Sequence, residues 1–297
     1  MLAKKILVVE DSDSLRRVLA ERLREAEFTI LEASGGSDGL RLAQAEKPDM
    51  IITDIIMYPM DGLEMVKKCD IIYIENYTSL LQCSVADIEK FYGKKVILAN
   101  REKTEQQSHS ILQEAKDKEV AFLVVGDPFS ATTHIELFKE AREKKIPIRI
   151  IHNASILTAV GITGLQLYKF GRTISIPFQE DVPTLEGPYN IIRENGYLGL
   201  HTLCLLDLKP EKNKWMNIQE ALSILERIET QKKENTITSK MIVVGCARLG
   251  SSTQLIRFGS LEKIKKIDFG KPPHCLIIPA KLHFMEKEVL DIYAIGR

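Results

Sequence analysis

The sequence predicts an α/β protein whose first half is a parallel sheet covered by helices and whose remainder is a separate α+β domain. Two observations support this fold class. Short apolar runs rich in β-branched residues alternate with segments of helical period through residues 1–170, as expected of successive βαβ units. After about residue 171 the strand-like runs continue while long helical segments become fewer, which favours an α+β arrangement.

The strand candidates in the first half are continuous apolar runs, which are typical of strands buried on both faces of a parallel sheet. They lie at residues 6–9, 50–56, 71–74, 96–99, 121–125 and 148–151. Amphipathic spacing predicts helices over residues 14–26, 37–45 and 133–145. Ser14 and Ser37 are candidate N-caps for the first two helices.

The second half has a different pattern. Strand-like runs occur at residues 173–178, 201–208, 241–247 and 274–280. One long helix is predicted over residues 217–233. Polar stretches at residues 179–188 and 210–215 are expected to be surface loops.

Composition limits the classes of function. The chain has 297 residues, 44% of them apolar, so it can bury one large core or two moderate ones. Basic and acidic residues balance at 41 each, which gives no broad electrostatic footprint for nucleic acid or an anionic membrane. The five cysteines lack metal-ligand spacing and predict free buried thiols. With no signal-like segment and no run of ~18 apolar residues, we expect a soluble cytoplasmic protein with no direct nucleic-acid or membrane partner.

Three carboxylates lie near the ends of predicted strands in the first 65 residues. Glu10 and Asp11 directly follow the first run, and Asp54 lies near the end of the run at residues 50–56. The carboxyl ends of parallel strands open onto one crevice, so these oxygens are expected to converge. Such a set would suit Mg²⁺, with Asp54 also placed to accept a phosphoryl group.

These acids, the runs KKILVVEDSDSLRRVLAERL and KPDMIITDIIM, and the turn MDG at residues 60–62 resemble the first half of response-regulator receiver domains. The resemblance covers residues 1–65 and implies a flavodoxin-like βαβαβ segment, with Mg²⁺ at Glu10, Asp11 and Asp54. The family also uses a Thr or Ser after a fourth strand and a Lys after a fifth, and neither occurs here in a matching context. The acids are therefore either relics on a structural scaffold or part of a phospho-acceptor module that controls an attached effector.

Four later segments form a second pattern: VAFLVVGDPFSATTH, IIHNASILTAVGITGLQLYKFG, GLHTLCLLDLK and VVGCARLGSSTQLIRFGSL. In this order and spacing they resemble the diphthine synthases, and the resemblance begins at about residue 62. It implies the two-domain tetrapyrrole-methylase fold of class III SAM-dependent methyltransferases. The N-terminal α/β domain would cover residues 66–170, completed by the receiver-like strand, and the C-terminal α+β domain residues 171–297.

Two of these segments place polar groups where a cofactor could bind. Gly126 permits close approach after a strand, and Asp127 then offers a carboxylate at the crevice. Asn153 and Ser155 lie at a strand-to-helix junction whose free N–H groups face the same crevice, although Ser155 also fits a simple N-cap. The resemblance implies that S-adenosyl-L-methionine (SAM) binds at Asp127, Ser130, Ser155, Ile156, Leu206, Leu249 and His274.

Three histidines have two interpretations each. His274 precedes an apolar strand, where a lone histidine is usually structural, whereas the resemblance assigns it to the cofactor. His134 and His152 could likewise belong to the core or to the site. The sequence identifies no catalytic base.

The resemblance implies SAM-dependent methylation of the diphthamide precursor, a modified histidine of translation elongation factor 2, by a homodimer. Family members begin with a strand and a glycine-rich loop, where this chain has the receiver-like residues 50–61. We expect the run at residues 50–56 to replace that strand within one continuous sheet. The bulk of Met57, Tyr58 and Met60 should weaken SAM binding. The alternatives are a catalytically dead fusion, natural or engineered, and a tetrapyrrole methylase.

Overall fold

The computed structural model describes residues 4–10, 13–53, 62–81, 83–181 and 186–296. The chain divides into two compact units, residues 1–68 and residues 69–297. No helix in these described ranges combines the length and the apolar content needed to cross a membrane.

The first unit contains a three-stranded parallel sheet with strand order β2-β1-β3. Its elements are β1 (Lys5–Val9), α1 (Asp13–Glu25), β2 (Thr29–Ala33), α2 (Gly36–Glu46), β3 (Met50–Thr53) and α3 (Gly62–Lys68). The central strand β1 is almost fully buried, and its Leu7 and Val9 pack with Ala33 of β2 in the core of the unit. The predicted βαβαβ order of this segment is confirmed.

The predicted N-caps of the first two helices are wrong. Helix α1 already begins at Asp13, so Ser14 lies inside it, and α2 begins at Gly36 after the N-cap residue Gly35. An acidic first residue suits the positive end of a helix, which explains the earlier start of α1. Helical periodicity places a helix well but defines its first residue poorly.

The second unit begins with another three-stranded parallel sheet, of order β5-β4-β6. Its elements are β4 (Ile71–Glu75), α4 (Val85–Tyr92), β5 (Val96–Ala99), a π-helical turn (Glu102–Gln106), α5 (Ser108–Glu114), β6 (Val120–Leu123) and α6 (Ile135–Glu143). The central strand β4 is buried, as its continuous apolar run predicts. A capping box between Ser84 and Asp87 starts α4, and Gly93 ends it in the left-handed region.

One expectation about this sheet is wrong: the run at residues 148–151 does not form a strand, and its Ile148 is 36% exposed. Within each unit the described strands pair separately, β3 with β1 and β6 with β4. The expected pairing of residues 50–56 with the second unit stays a prediction, since residues 54–56 lie outside the described ranges. A strand exists only through hydrogen bonds to a neighbour. The apolar run at residues 148–151 therefore stays irregular, since no described strand pairs with it.

The rest of the second unit is built on a five-stranded mixed sheet of order β12-β11-β13-β8-β7. Its strands are β7 (Ile174–Ile176), β8 (Thr202–Leu206), β11 (Ile242–Ala247), β12 (Leu255–Ser260) and β13 (His274–Ile278), and β9 (Leu208–Lys209) pairs with β10 (Lys214–Trp215) in a separate ribbon. Its helices are α7 (Ile156–Ala159), α8 (Glu186–Tyr197), α9 (Ile218–Lys232), α10 (Leu261–Ile264) and α11 (Phe284–Leu290). Short 3₁₀ turns cover Val160–Thr163, Leu167–Lys169, Gln179–Asp181, Pro210–Lys212 and Asp291–Tyr293.

The mixed sheet has an apolar core on each face, because side chains alternate along its strands. Leu276 of β13 belongs to one core with Tyr189 and Leu222, which helices α8 and α9 contribute. Ile277 belongs to the other core with Leu165 and Leu290. This arrangement is the predicted α+β architecture with helices on both faces.

Helix α8 and the ribbon correct two predicted loops. Residues 186–188 belong to α8, and the stretch at residues 210–215 folds into a 3₁₀ turn and β10. The five cysteines are free, as predicted, although Cys83 is exposed rather than buried.

Candidate functional site

Asp127 is the centre of a hydrogen-bonded group that we call the Asp127 cluster: Asp127, Phe129, Ser130, His152 and Asn153. Its Oδ1 accepts from the Phe129 N–H at 2.9 Å and from the Ser130 hydroxyl at 3.0 Å. Its Oδ2 lies 2.8 Å from His152 Nδ1 and accepts from the Asn153 N–H at 3.3 Å. One carboxylate therefore joins the loop after β6 to the segment that precedes α7.

The hydrogen bonds also set the charge of this cluster. The Phe129 N–H and then the His152 imidazole lower the pKa of Asp127 to about 2. Asp127 is consequently ionised at neutral pH, and it holds a negative charge at the carboxyl end of the parallel sheet.

Backbone geometry explains why this loop can approach α7 so closely. Gly126 has a φ of +102°, which favours glycine, and a Cβ added there would lie 3.4 Å from the Ala154 carbonyl oxygen. Ser155 is the N-cap of α7, and its hydroxyl accepts from the Leu157 N–H at 3.0 Å. The N-cap interpretation of Ser155 is thus confirmed, and it is compatible with a cofactor role for neighbouring backbone groups.

Three other predicted contact residues meet at one end of the mixed sheet. The pairing of Cys275 with Leu205 places Leu206, the last residue of β8, beside His274, the first residue of β13. His274 also pairs with Ala247 on β11, and Leu249 follows two residues later. The antiparallel pairing of β13 with β8 and with β11 therefore brings these three residues, which are far apart in sequence, to the same end of the sheet.

Leu249 and Ile156 link this sheet end to the region of α7. Both side chains pack against the same buried core, which Leu203, Val244 and Ile277 help to form. The structure thus places Ile156 and Leu249 against one core, although they belong to different sequence segments.

His274 carries an unused buried hydrogen-bonding atom. Its Nε2 lies 3.1 Å from the Lys271 carbonyl oxygen, which requires the proton to be on Nε2. Its Nδ1 is buried and has no hydrogen-bond partner. Burial lowers the pKa of His274, so the ring is neutral with a lone pair available at Nδ1. A hydroxyl or amino group of a nucleoside cofactor would satisfy this acceptor.

A cleft with a volume of about 640 Å³ lies next to Leu206, because the residues that follow it from Asp207 onward form one wall. Its walls include Asn76 and Tyr77 after β4, Arg101 after β5, and Asp207 and Lys209 next to Leu206. The Arg101 guanidinium lies 5.5 Å from the Tyr77 ring centroid, and Lys209 is 3.5 Å from the Glu180 carboxylate. The sequence interpretation did not single out these residues, because their proximity depends on strand order. One feature of the sequence could have pointed to this cleft: Glu75, an acidic residue at the end of a strongly apolar strand, directly precedes Asn76 and Tyr77.

The other two histidines with two interpretations, His152 and His134, lie in different surroundings. His152 belongs to the Asp127 cluster and its side chain is 70% exposed, so it is not a core residue. His134 is buried, with its ring edge-on to Tyr77 and to Phe122, and burial lowers its pKa.

The predicted metal site lies mostly outside the described residues. Glu10 is buried and follows β1, as predicted, but Asp11 and Asp54 fall in undescribed ranges. Within the described ranges, no group of three or more His, Cys, Asp or Glu side chains is arranged to hold a metal ion.

Two family models match the sequence. That of the tetrapyrrole (corrin/porphyrin) methylases matches residues 58–265. That of the response regulator receiver domain matches residues 6–87. The two matched ranges overlap at residues 58–87.

Individual proteins give a consistent result. A diphthine synthase of Methanococcus vannielii is 46% identical over 229 residues, which is 77% of this chain and 90% of that protein. A diphthine methyl ester synthase of Schizosaccharomyces pombe is 43% identical over 251 residues, covering 79% of this chain and 89% of that protein. A crystal structure of diphthine synthase superposes with a TM-score of 0.72 at 40% identity, covering 78% of this chain and 88% of that one. The chain therefore belongs to the diphthine synthase family of tetrapyrrole methylases, behind a receiver-like N-terminal segment.

Proposed function

We propose that this protein is a SAM-dependent methyltransferase that acts on the diphthamide precursor of translation elongation factor 2. Membership of the diphthine synthase family supports the reaction class. The observation that carries the proposal for this chain is the convergence of Leu206, Leu249 and His274 at one sheet end, with a buried free lone pair on His274.

The predicted SAM-contacting residues would bind different parts of the cofactor. His274 Nδ1 would accept a hydrogen bond from the nucleoside part of SAM, and Leu206 and Leu249 would present backbone groups and apolar surface. The negative charge of Asp127 favours a cation nearby, and the Asp127 cluster fixes the loop that bears it. The bound cofactor supplies an activated methyl group.

The cleft next to Leu206 is suited to the acceptor side of the reaction. It lies at the carboxyl ends of β4 and β5, where ligands of open α/β sheets bind. Holding the acceptor in line with the methyl group can contribute about 7 to 11 kcal/mol to catalysis. Walls on both sides of the cleft would restrict water and fix that geometry.

Calorimetry and methyl transfer test the proposal together. Titration with SAM should give saturable binding, and labelled SAM should transfer its methyl group to elongation factor 2 that carries the unmethylated diphthamide precursor. The unmodified factor is the matched control and should stay unlabelled. Binding without transfer would instead support the catalytically dead fusion, and transfer to a tetrapyrrole would support the alternative enzyme.

The receiver-like segment supports a second candidate function less strongly. The family-model match to residues 6–87 favours a receiver origin. Phosphorylation at Asp54 with Mg²⁺ at Glu10, Asp11 and Asp54 remains a proposal. Incubation with Mg²⁺ and acetyl phosphate, followed by mass spectrometry, tests it. Absence of an adduct on Asp54 would leave these acids as relics.

We also propose the domain boundaries 1–65, 66–170 and 171–297, with the fusion made at a strand-turn-helix unit shared by both families. The overlap of the two matched ranges at residues 58–87 supports a junction there. A homodimer and a cytoplasmic location remain predictions. Light scattering of the purified protein would test the first.

A further inference from the structure

Glu75 is a completely buried carboxylate at the end of β4, and its hydrogen bonds reach two different loops. On the first loop, the N–H groups of Tyr77 and Thr78 donate to Oε2 at 3.0 Å each. The Thr78 hydroxyl donates to Oε1 at 2.5 Å. On the second loop, the Val125 N–H donates to the same Oε1 at 3.3 Å. Both oxygens are thus acceptors. Three of the donors lie two or three residues after Glu75, and the fourth follows the neighbouring strand β6.

The two loops lead to the two halves of the candidate site. Tyr77 is a wall of the cleft assigned to the acceptor. Val125 directly precedes Gly126 and Asp127, the centre of the cluster assigned to the cofactor. Strands β4 and β6 are adjacent and parallel, with Ile74 opposite Leu123, so both chains leave the sheet at the same level. The backbone hydrogen bonds between β4 and β6 end at this pair, so the Val125 N–H has no strand acceptor there and donates to Glu75 instead.

A capping role limited to the turn after β4 would need only the Tyr77 and Thr78 donors. The bond to Val125, 50 residues away in sequence, adds nothing to that turn. It does fix the distance between the acceptor side and the cofactor side of the site. Burial strengthens this effect, because water cannot replace a lost acceptor at low cost.

We propose that Glu75 is a positioning residue that holds the cofactor-side loop and the acceptor-side loop in a fixed relation. The inference rests on the proposed function, because that function assigns the two halves of the site. Glu75 itself touches neither reactant and is not a catalytic residue.

Glu75→Gln is the sharpest perturbation, because it keeps the size of the side chain. An amide has one acceptor oxygen, so its NH₂ group must face either Val125 and the Thr78 hydroxyl or the N–H groups of Tyr77 and Thr78. In either orientation the NH₂ group of the amide therefore faces at least one backbone N–H group, which cannot accept a hydrogen bond. Thr78→Val is the milder variant, because it removes a single bond on the first loop.

Glu286→Gln is a matched control. Glu286 is also completely buried and accepts four hydrogen bonds, but its donors are Gln166, Lys169, His201 and His283, none of which belongs to the two loops. It should therefore reproduce the general destabilisation caused by removing a buried carboxylate without changing the loops.

Amide hydrogen exchange and SAM calorimetry on the full chain test the proposal. In Glu75→Gln, exchange at Val125 and at Tyr77 should accelerate by about tenfold or more, and the Kd for SAM should rise by about tenfold, the effect of losing one charge-assisted hydrogen bond. Thr78→Val should accelerate exchange at Tyr77 more than at Val125. Under conditions in which it stays folded, Glu286→Gln should leave the Kd for SAM close to wild type, and exchange at Val125 and Tyr77 should accelerate no more than at Val244 in the core of the same unit.

Two outcomes would overturn the proposal. In one, Glu75→Gln exchanges at Val125 at the wild-type rate. In the other, Glu75→Gln accelerates exchange at Val125 no more than at Val244, as Glu286→Gln should, which would show only a general loss of stability. Failure of the wild-type protein to bind SAM would reject the proposed function instead, and the exchange rates would still decide whether Glu75 holds the two loops.

Discussion

Replacing Glu286 by glutamine should destabilise the second unit strongly. Both carboxylate oxygens are fully occupied: Oε1 accepts from the Gln166 N–H at 3.0 Å and from His201 Nε2 at 2.9 Å, and Oε2 accepts from Lys169 Nζ at 2.5 Å and from the His283 N–H at 2.7 Å. Burial alone would raise the pKa of Glu286, but these donors, Lys169 first, lower it to about 2.

The magnitude follows from what an amide cannot do at this position. In either orientation its NH₂ group opposes two donors. His201 cannot adapt by moving its proton, because its Nδ1 already accepts from the Ala280 N–H at 3.0 Å. Two buried hydrogen bonds to a charged group are lost, and Lys169 loses its ionic partner and keeps only the Lys281 carbonyl oxygen. The combined cost is about 3 to 5 kcal/mol. For a unit of this size, that corresponds to a fall in Tm of about 10 °C.

Thermal and urea denaturation of the wild type and of Glu286→Gln would measure this loss. Glu262→Gln is the matched control, because Glu262 forms an exposed ion pair with Lys266 and should leave the Tm unchanged. A loss below about 1 kcal/mol in Glu286→Gln would refute the reasoning, since it would mean that the amide re-pairs with these donors.

Three further outcomes are expected. Asp127→Asn should raise the Kd for SAM by about tenfold or more in calorimetry, because an amide cannot accept all four bonds of the cluster. Gly164→Ala should cost about 3 kcal/mol in urea denaturation, because Gly164 has a φ of +85° and its new Cβ would lie 2.3 Å from Val289. Burial lowers the pKa of His134 and His201 from the ordinary 6.5, so the unfolded state binds more protons as pH falls below that value. Urea midpoints should therefore drop between pH 7.5 and 5, and a flat profile would contradict this.

The sequence predicted the elements whose signal is local. The runs that became β1, β4 and β5 are apolar because strands in parallel sheets are buried, and this needs no knowledge of their partners. Helix α8 was missed for the opposite reason. Its sequence EGPYNIIRENGY contains two glycines and a proline, and it is stabilised by burying Tyr189 and Ile192 against the mixed sheet.

The residues of the candidate site also differ in how far local sequence predicts them. Ser155 could be predicted as an N-cap, because the cap and the first helical turn are adjacent in sequence. The position of Asp127 followed from its place after a strand. The role of Glu75 could not be predicted, because its partner Val125 lies 50 residues away and becomes a neighbour only through the pairing of β4 with β6.

The run at residues 148–151 is an apolar segment that no described strand pairs with. Three of its four residues are isoleucine, a composition suited to a buried strand, yet Ile148 is 36% exposed and no described strand pairs with the run. The chain continues directly from this irregular stretch into His152 and Asn153 of the Asp127 cluster. An unpaired run at this place should therefore loosen one side of the cofactor site and leave the mixed sheet intact.

That reasoning predicts weakened SAM binding in a protein that still folds. Side-by-side calorimetry with the diphthine synthase of Methanococcus vannielii, which is 46% identical over 229 residues, should give a Kd for this chain about tenfold higher or more, the effect of one hydrogen bond to the site that is no longer held. Amide exchange should be fast at Asn153 and slow at Val244 in the buried core of the mixed sheet. Equal affinity for SAM in the two proteins would show that residues 148–151 do not need a strand partner to hold the Asp127 cluster.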